Sequence, residues 1–113
     1  MQAAQPAEIL RILVSESDRH HGKPLYEAIV AKCRELKIAG ATVFCGIEGY
    51  GETTEMHRAH LVHSNRPIAI TIVDIAENIA RLIPVVAEMM HTGVMAKSPV
   101  EMIRVTSPSP PPA

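Results

Sequence analysis

The stretch Gly40-Ala-Thr-Val-Phe-Cys-Gly-Ile-Glu-Gly-Tyr-Gly51 contains a short apolar run that is bounded by glycines at both ends. Residues 41–47 are apolar and rich in β-branched side chains, which predicts a buried strand. Glycine is favoured where the backbone takes a positive φ or comes close to another group. The Gly49-Tyr50-Gly51 exit therefore predicts exposed backbone at the rim of a sheet, suited to a ligand or a partner; a plain strand with a flexible exit is the alternative.

Three further segments have the composition of strands. Residues 8–15 and 68–73 are largely apolar at both parities, so we expect both of these strands to be covered on both faces. Pro67 opens the second of them. Residues 94–105 predict a final strand, strongest over 100–105, with a break at Ser98-Pro99. Residues 52–66 have no strong apolar period, which predicts a long mobile loop.

Two segments carry apolar side chains at helical spacing. Residues 25–37 follow Pro24, which we expect at the first helical position, and this helix is expected to end near Gly40. Residues 75–91 follow Asp74, whose side chain is predicted to cap the second helix.

The resulting order is strand, helix, strand, long loop, strand, helix, strand, which predicts an α+β fold: a ferredoxin-like βαββαβ sandwich with an antiparallel sheet and two helices on one face. The domain is expected over residues 8–105, between a disordered lead (1–7) and a disordered Pro-rich tail (106–113). Two helices cover only one face of a sheet whose strands are apolar on both. We therefore expect an obligate homo-oligomer whose sheets face inward.

Composition excludes several classes of function. The 113 residues carry a formal net charge of −1, so the chain lacks the excess of positive charge that is typical of nucleic-acid-binding proteins. No apolar run approaches the roughly 18 residues that would span a bilayer, so the chain is not expected to be membrane-inserted. The N-terminal residues lack the pattern of a signal peptide. Cys33 and Cys45, both in predicted core elements, are expected to be reduced thiols in the cytoplasm.

Several short motifs between residues 8 and 105 belong together. They are Glu16-Ser-Asp18 with Gly22-Lys-Pro-Leu-Tyr-Glu-Ala28, Gly40-Ala-Thr-Val-Phe44 with Gly46 and Gly49-Tyr-Gly51, then Pro67, Asp74 and His91-Thr-Gly93. With these motifs in this order, the chain resembles the PII-like signalling superfamily, and within it the branch called domain of unknown function 190. The resemblance implies a homotrimer that binds adenine nucleotides in clefts between subunits. It also implies that the mobile loop 52–66 acts on a protein partner, for which a membrane transporter is one candidate.

The resemblance also assigns ligand-binding residues. Gly49-Tyr50-Gly51 corresponds to the base of the partner-binding loop beside the nucleotide, and Thr92 with Gly93 to the start of the loop that contacts phosphates. Lys97 and Arg104 would carry positive charge to the anionic part of the ligand. Because residues 94–99 contain no further glycine, a smaller nucleotide, a different anion or no ligand at all remain open.

The sequence offers two alternatives to this function. His57, His60 and His63 form an H-x-x-H-x-x-H pattern, and imidazole suits Zn, Cu or Ni. This pattern supports a trimeric metal-binding or metal-tolerance protein as the alternative function, against solvated loop histidines. An enzyme is less favoured, because the polar cluster 15–21 pairs no nucleophile with a base at defined spacing.

Overall fold

The computed structural model describes residues 2–49, 57–58 and 65–106. The chain forms a four-stranded antiparallel sheet with two helices on one face, which confirms the predicted ferredoxin-like fold. The elements are β1 (Gln2–Ser15), α1 (Leu25–Glu35), β2 (Thr42–Cys45), β3 (Pro67–Asp74), α2 (Ala76–Met89) and β4 (Val94–Val105), and the strand order is β2-β3-β1-β4. Two short ribbons accompany them, Arg19–His20 with Lys23–Pro24 and Glu48–Gly49 with His57–Arg58. Neither α1 nor α2 is long and apolar enough to cross a membrane.

The first strand is longer than the sequence predicts. Residues 2–7 were expected to be a disordered lead, but they extend β1 and pair with Val100–Val105 of β4. These residues are too small and polar to predict a strand by themselves. The long β4 offers them a continuous ladder of backbone partners, and this tertiary pairing overrides the weak local propensity. Residues 107–113, most of the predicted tail, lie outside the described residues.

The core lies between the sheet and the two helices. Its sheet side consists of one parity of β1 and β3, and its helix side of the apolar stripes of α1 and α2. The fully buried side chains are Leu10, Ile12, Ile68, Ile70, Ile72, Leu25, Ile29, Cys33, Ile79, Leu82 and Val86. Burial raises the pKa of the Cys33 thiol to about 11, so this cysteine is an inert packing residue. Cys45, predicted to be buried, is exposed because it ends the edge strand β2 beyond the cover of the helices.

Within the part of the chain that the structure describes, nothing covers the other face of the sheet. Its register places Phe44, Ala69, Leu13 and Val94 side by side in one row across the four strands. Phe44 is 56% exposed, and Leu13, Val94 and Val73 are between 36% and 43% exposed. The expectation that β1 and β3 are covered on both faces therefore does not hold within one chain. We call this surface, with its rows on β1 to β4, the open face.

Helix α1 ends earlier than predicted, and the motif that ends it contains no glycine. Leu36 is its C-cap, and Lys37 takes the left-handed conformation with φ 60°. The amide of Ile38 donates to the carbonyl of Cys33 (2.9 Å) and that of Lys37 to Arg34 (3.1 Å), which is the Schellman arrangement. Gly40 is thus not the stop. At the other end of the helix, Pro24 is the residue before the first helical position, not in it.

Replacing Lys37 by Gly should stabilise the protein. A side chain in the left-handed conformation carries a steric penalty that glycine lacks, so we expect Lys37→Gly to raise the free energy of unfolding by about 1 kcal/mol. Chemical denaturation measures this change. Lys37→Ala keeps the Cβ and is the control, for which no such gain is expected; an equal gain in both variants would contradict the explanation.

Asp74 joins two turns and does not cap α2. The helix begins after Ile75, which caps it without a side-chain hydrogen bond. The buried Asp74 carboxylate accepts hydrogen bonds from the amides of Ala39 (2.9 Å) and Ile75 (2.7 Å) and from the side-chain amide of Asn78 (3.1 Å). Burial alone would raise the pKa of Asp74, but these hydrogen bonds, with the charge of Arg104, lower it below its usual value. The residue thereby fixes the turn before β2 against the start of α2.

Asp74→Asn should destabilise the protein in a pH-dependent way. Because the folded-state pKa is lowered, the ionised carboxylate contributes stability that is complete above the unfolded-state pKa of 3.8 and is lost as the pH falls through the folded-state value. At neutral pH, we expect the free energy of unfolding of the variant to be about 2 kcal/mol lower than that of the wild type. Urea unfolding at several pH values should show this gap narrowing in acid; a gap independent of pH would contradict the assignment.

Candidate ligand site at the loop end of the sheet

Four segments meet where β1 ends and where β3 and β4 begin, which we call the loop end. Ser15 pairs with Pro67, and Leu13 pairs with Val94. The chain leaving β2 joins them, since the amide of Gly46 donates to the carbonyl of Pro67 (2.7 Å). The predicted loop base and the predicted phosphate turn therefore lie at the same end of the sheet.

The phosphate turn predicted at Thr92 and Gly93 is packed against β1. Gly93 has φ +146°, and a Cβ added to it would lie 2.9 Å from the carbonyl oxygen of Leu13 and 2.5 Å from the terminal methyl of Met90. Thr92 is exposed. The absence of a side chain at Gly93 thus lets this turn approach the end of the central strand while Thr92 faces solvent.

The loop base is built around Pro67. A Cβ at Gly46 would lie 2.6 Å from the Cγ of Pro67, so glycine is required there, whereas a Cβ at Gly49 would make an ordinary 3.5 Å contact. Gly49 also ends the first strand of a short ribbon, in which it pairs with His57. Gly46 is not among the predicted site residues, yet it is the glycine with the stricter packing requirement. Tyr50 and Gly51, predicted to bind the ligand, lie outside the described residues.

The returning end of the long loop is tied to β1 by an ion pair. The Arg66 guanidinium donates from Nε and Nη2 to the two carboxylate oxygens of Glu16, and the Glu16 amide donates to the Arg66 carbonyl (2.8 Å). Hydrogen bonding to Glu16, and then its charge, raises the pKa of Arg66 further above neutrality. Bidentate pairs of this kind fix geometry as well as charge. Glu16 is mostly buried, with 13% of its side chain exposed, against 36% for Arg66.

A second set of hydrogen bonds holds Asn65, the residue that precedes Arg66. The hydroxyls of Ser15 and Ser17 donate to the side-chain oxygen of Asn65 at 2.6 and 2.9 Å. The Asp18 carboxylate accepts from the amide of Ser15 (2.9 Å) and so closes the turn that carries these hydroxyls. Nothing in the local sequence indicates this cluster, because its two halves are about fifty residues apart and only the β1–β3 register brings them together.

The two predicted basic residues lie elsewhere on β4. Lys97 is opposite Leu10 and its Nζ is 3.4 Å from a carboxylate oxygen of Glu8. Arg104 is opposite Ala3, eleven residues beyond Gly93, which corresponds to about 36 Å along a strand. Within one chain, the structure therefore does not bring Arg104 to the phosphate turn.

The histidines form no metal site in the part of the chain that the structure describes, where no group of three His, Cys, Asp or Glu could hold a metal ion. The rings of His20 and His21 are 4.2 Å apart. The pKa of His20 is lowered, first by desolvation and then by the charges of His21, Lys32 and His91. His57 is placed only by its backbone pairing with Gly49, and His60 and His63 lie outside the described ranges, so the predicted metal set stays a prediction.

Solved structures of PII-like proteins share this fold. The chain superposes with a TM-score of 0.68 and 18% identity on CPII bound to ADP and bicarbonate, from Thiomonas intermedia K12, over 88% of this chain and 91% of that one. The divalent ion tolerance protein CutA1 from Ehrlichia chaffeensis gives a TM-score of 0.56 at 16% identity, over 85% and 80% of the two chains. At these identities the likeness shows the fold alone: the chain has the fold of PII-like proteins.

Sequence comparison identifies the family. The model of DUF190, described as Uncharacterized ACR, matches residues 7–102. A UPF0166 protein of Aquifex aeolicus (strain VF5) is 35% identical over 98 residues, which cover 85% of this chain and 92% of the relative. The chain belongs to the DUF190 family, as its motifs predict.

Gly93→Ala should destabilise the protein, because the added methyl meets the Leu13 carbonyl at a φ that favours glycine. We expect a loss of about 2 kcal/mol in the free energy of unfolding. Gly40→Ala is the matched control, since nothing lies within 4 Å of a Cβ there, and it should be neutral or slightly stabilising. Equal effects of the two substitutions in urea unfolding would contradict the packing described for Gly93.

Proposed function

We propose that this chain is a PII-like regulatory protein that works as a homotrimer in the cytoplasm. It binds a small anionic metabolite, with an adenine nucleotide as the first candidate, in the clefts between subunits, and acts through loop 52–66 on a protein partner. One observation carries the proposal. Gly49 and Thr92–Gly93 converge at the loop end, whereas Arg104 lies about 36 Å away on the same chain. These residues can serve one ligand only where two chains meet.

The open face supports the oligomer. Phe44, Leu13, Val94 and Val73 are large apolar side chains exposed on one sheet face. Burying apolar surface contributes about 25 cal/mol per Å², so covering this face with further copies is favourable. The fold neighbour CPII, whose structure is described as bound to ADP and bicarbonate, supports a nucleotide and an anion as the ligands to test first.

The Glu16–Arg66 pair supports a route from ligand to loop. Asn65 and Arg66 hold the end of loop 52–66 beside β1. A ligand that contacts these residues at the loop end would therefore change the conformation of the loop. Binding would then order the loop and change its fit to the partner. In this proposal Arg66 supplies positive charge at the loop end, Glu16 is its positioning residue, and Lys97 and Arg104 supply charge from the neighbouring subunit. Tyr50 and Gly51 complete the proposed loop base.

The alternative function is a trimeric metal-binding or metal-tolerance protein that uses His57, His60 and His63. The fold likeness to a divalent ion tolerance protein favours keeping it as the second candidate. Imidazole ligands would take Zn, Cu or Ni.

A thermal unfolding screen with the mass in solution recorded alongside tests both functions. The panel contains AMP, ADP, ATP, cyclic nucleotides, S-adenosylmethionine, bicarbonate and divalent cations. We expect an adenine nucleotide at 100 times its Kd to stabilise the protein by about 2.7 kcal/mol. Arg104→Ala should weaken that binding by about tenfold or more without changing the mass, because it removes a charge-assisted hydrogen bond. Arg34→Ala, on the exposed surface of α1, is the matched control and should bind as the wild type does.

Each result of the screen has a definite meaning. A trimer that no nucleotide or anion stabilises would refute the sensor function, and unchanged affinity in Arg104→Ala would remove Arg104 from the site. A metal shift that the triple alanine variant of His57, His60 and His63 abolishes would establish the alternative.

A further inference from the structure

The paired ends of β1 and β4 project beyond the rest of the sheet. The last pair between β1 and β3 is Glu8 with Asp74, but β1 continues to Gln2, paired only with β4. We call residues 2–7 together with 100–105 the terminal arm. It is a two-stranded ribbon six residue pairs long, or about 20 Å.

Among the residues that the structure describes, no layer packs on the terminal arm. Ile103 is 56% exposed and Val105 is 70% exposed. A hollow of about 410 Å³ lies at the arm's base, lined by Ala4, Gln5, Pro6, Pro99, Val100 and Glu101. A ribbon of two strands is at best marginally stable in water without a further layer. The arm therefore has the character of a surface that is covered in the assembled protein.

The same chain presents a second uncovered apolar surface, the open face. A contact between two arms would leave the open faces exposed, and a contact between two open faces would leave the arms exposed. One head-to-tail contact, repeated around a closed ring, covers both surfaces of every copy. The occupant that fits the arm is thus a second copy of this chain.

The charges of the two surfaces are complementary. On the open face, Arg11 stands in a row between Thr71 and Ala96, and within the described ranges it makes no ion pair. On the arm, strand alternation places Glu101 on the same side as Ile103 and Val105. Glu101 is exposed and likewise has no ion pair among the residues that the structure describes. A guanidinium buried without an acceptor is strongly unfavourable, so whatever covers Arg11 must bring one.

We propose that the terminal arm of one copy packs on the open face of the next, with Ile103 and Val105 against its apolar rows and Glu101 paired with Arg11 of the next copy. This contact rests on the oligomer of the proposed function and specifies which surfaces form it. It also makes every contact in the ring head-to-tail in the same direction, because an arm fits a face and not another arm.

A charge-reversal cycle tests the pair. Arg11→Glu and Glu101→Arg should each raise the dissociation constant of the oligomer at least tenfold, and the double variant should restore most of the loss. The readout is mass against protein concentration by sedimentation, with circular dichroism to show that each variant is folded. Arg34→Glu, the same reversal on the exposed helix surface, is the matched control and should keep the wild-type mass.

Mixing two further variants tests the head-to-tail geometry. Ile103→Asp/Val105→Asp removes the arm contact, and Phe44→Asp/Val94→Asp removes the face contact. Each variant alone should be monomeric, and an equimolar mixture should form a one-to-one complex through its single intact contact.

The outcomes separate this contact from the proposed function. Charge-reversal variants that keep the wild-type mass would overturn the arm contact while leaving the trimer and its ligand intact. Self-association of either aspartate variant, or no complex on mixing, would overturn the head-to-tail geometry. A monomeric wild type would overturn the contact together with the proposed trimer, while nucleotide binding would still be measured separately.

Discussion

The central position of β1 is the constraint on which the rest of the structure depends. This strand pairs with β3 along one edge and with β4 along the other, and its buried parity forms the middle of the core. A shift of one residue in either register would exchange the buried and open faces of the strand. The same registers set the loop end, because they place Ser15 beside Pro67 and Leu13 beside Val94.

Two polar devices act at opposite ends of the sheet. At the loop end, the Glu16–Arg66 ion pair fixes Arg66 beside the end of β1. At the other end of the sheet, the Asp74 carboxylate accepts hydrogen bonds from the turn before β2 and from the start of α2. Each uses a carboxylate with little exposed surface that accepts several hydrogen bonds, so the charge is compensated where water is scarce. Asn65 and Arg66 are therefore held in a fixed position beside β1 where the chain returns to the sheet.

The surfaces left open by one chain are as informative as its core. The apolar open face and the terminal arm lie on one continuous sheet, and neither is covered by α1 or α2. The basic residues at Lys97 and Arg104 lie along β4 and away from the phosphate turn. In the proposed oligomer, a neighbouring copy would cover the uncovered surfaces and would also complete the separated site residues.

Apolar periodicity alone predicted the order of elements and the helix-covered sheet, because burial of alternate or helically spaced side chains is a local property of the chain. The break expected at Ser98-Pro99 is not present, since both residues pair with β1 and β4 runs continuously from Val94 to Val105. The family motifs located the loop base and the phosphate turn. Three features were not predictable in this way: the end of α1 before the left-handed Lys37 together with the start of α2 after Ile75, the strand over residues 2–7, and the Glu16–Arg66 pair. Each depends on partners distant in sequence or on a backbone conformation that the side chain does not favour, and only the tertiary structure determines those.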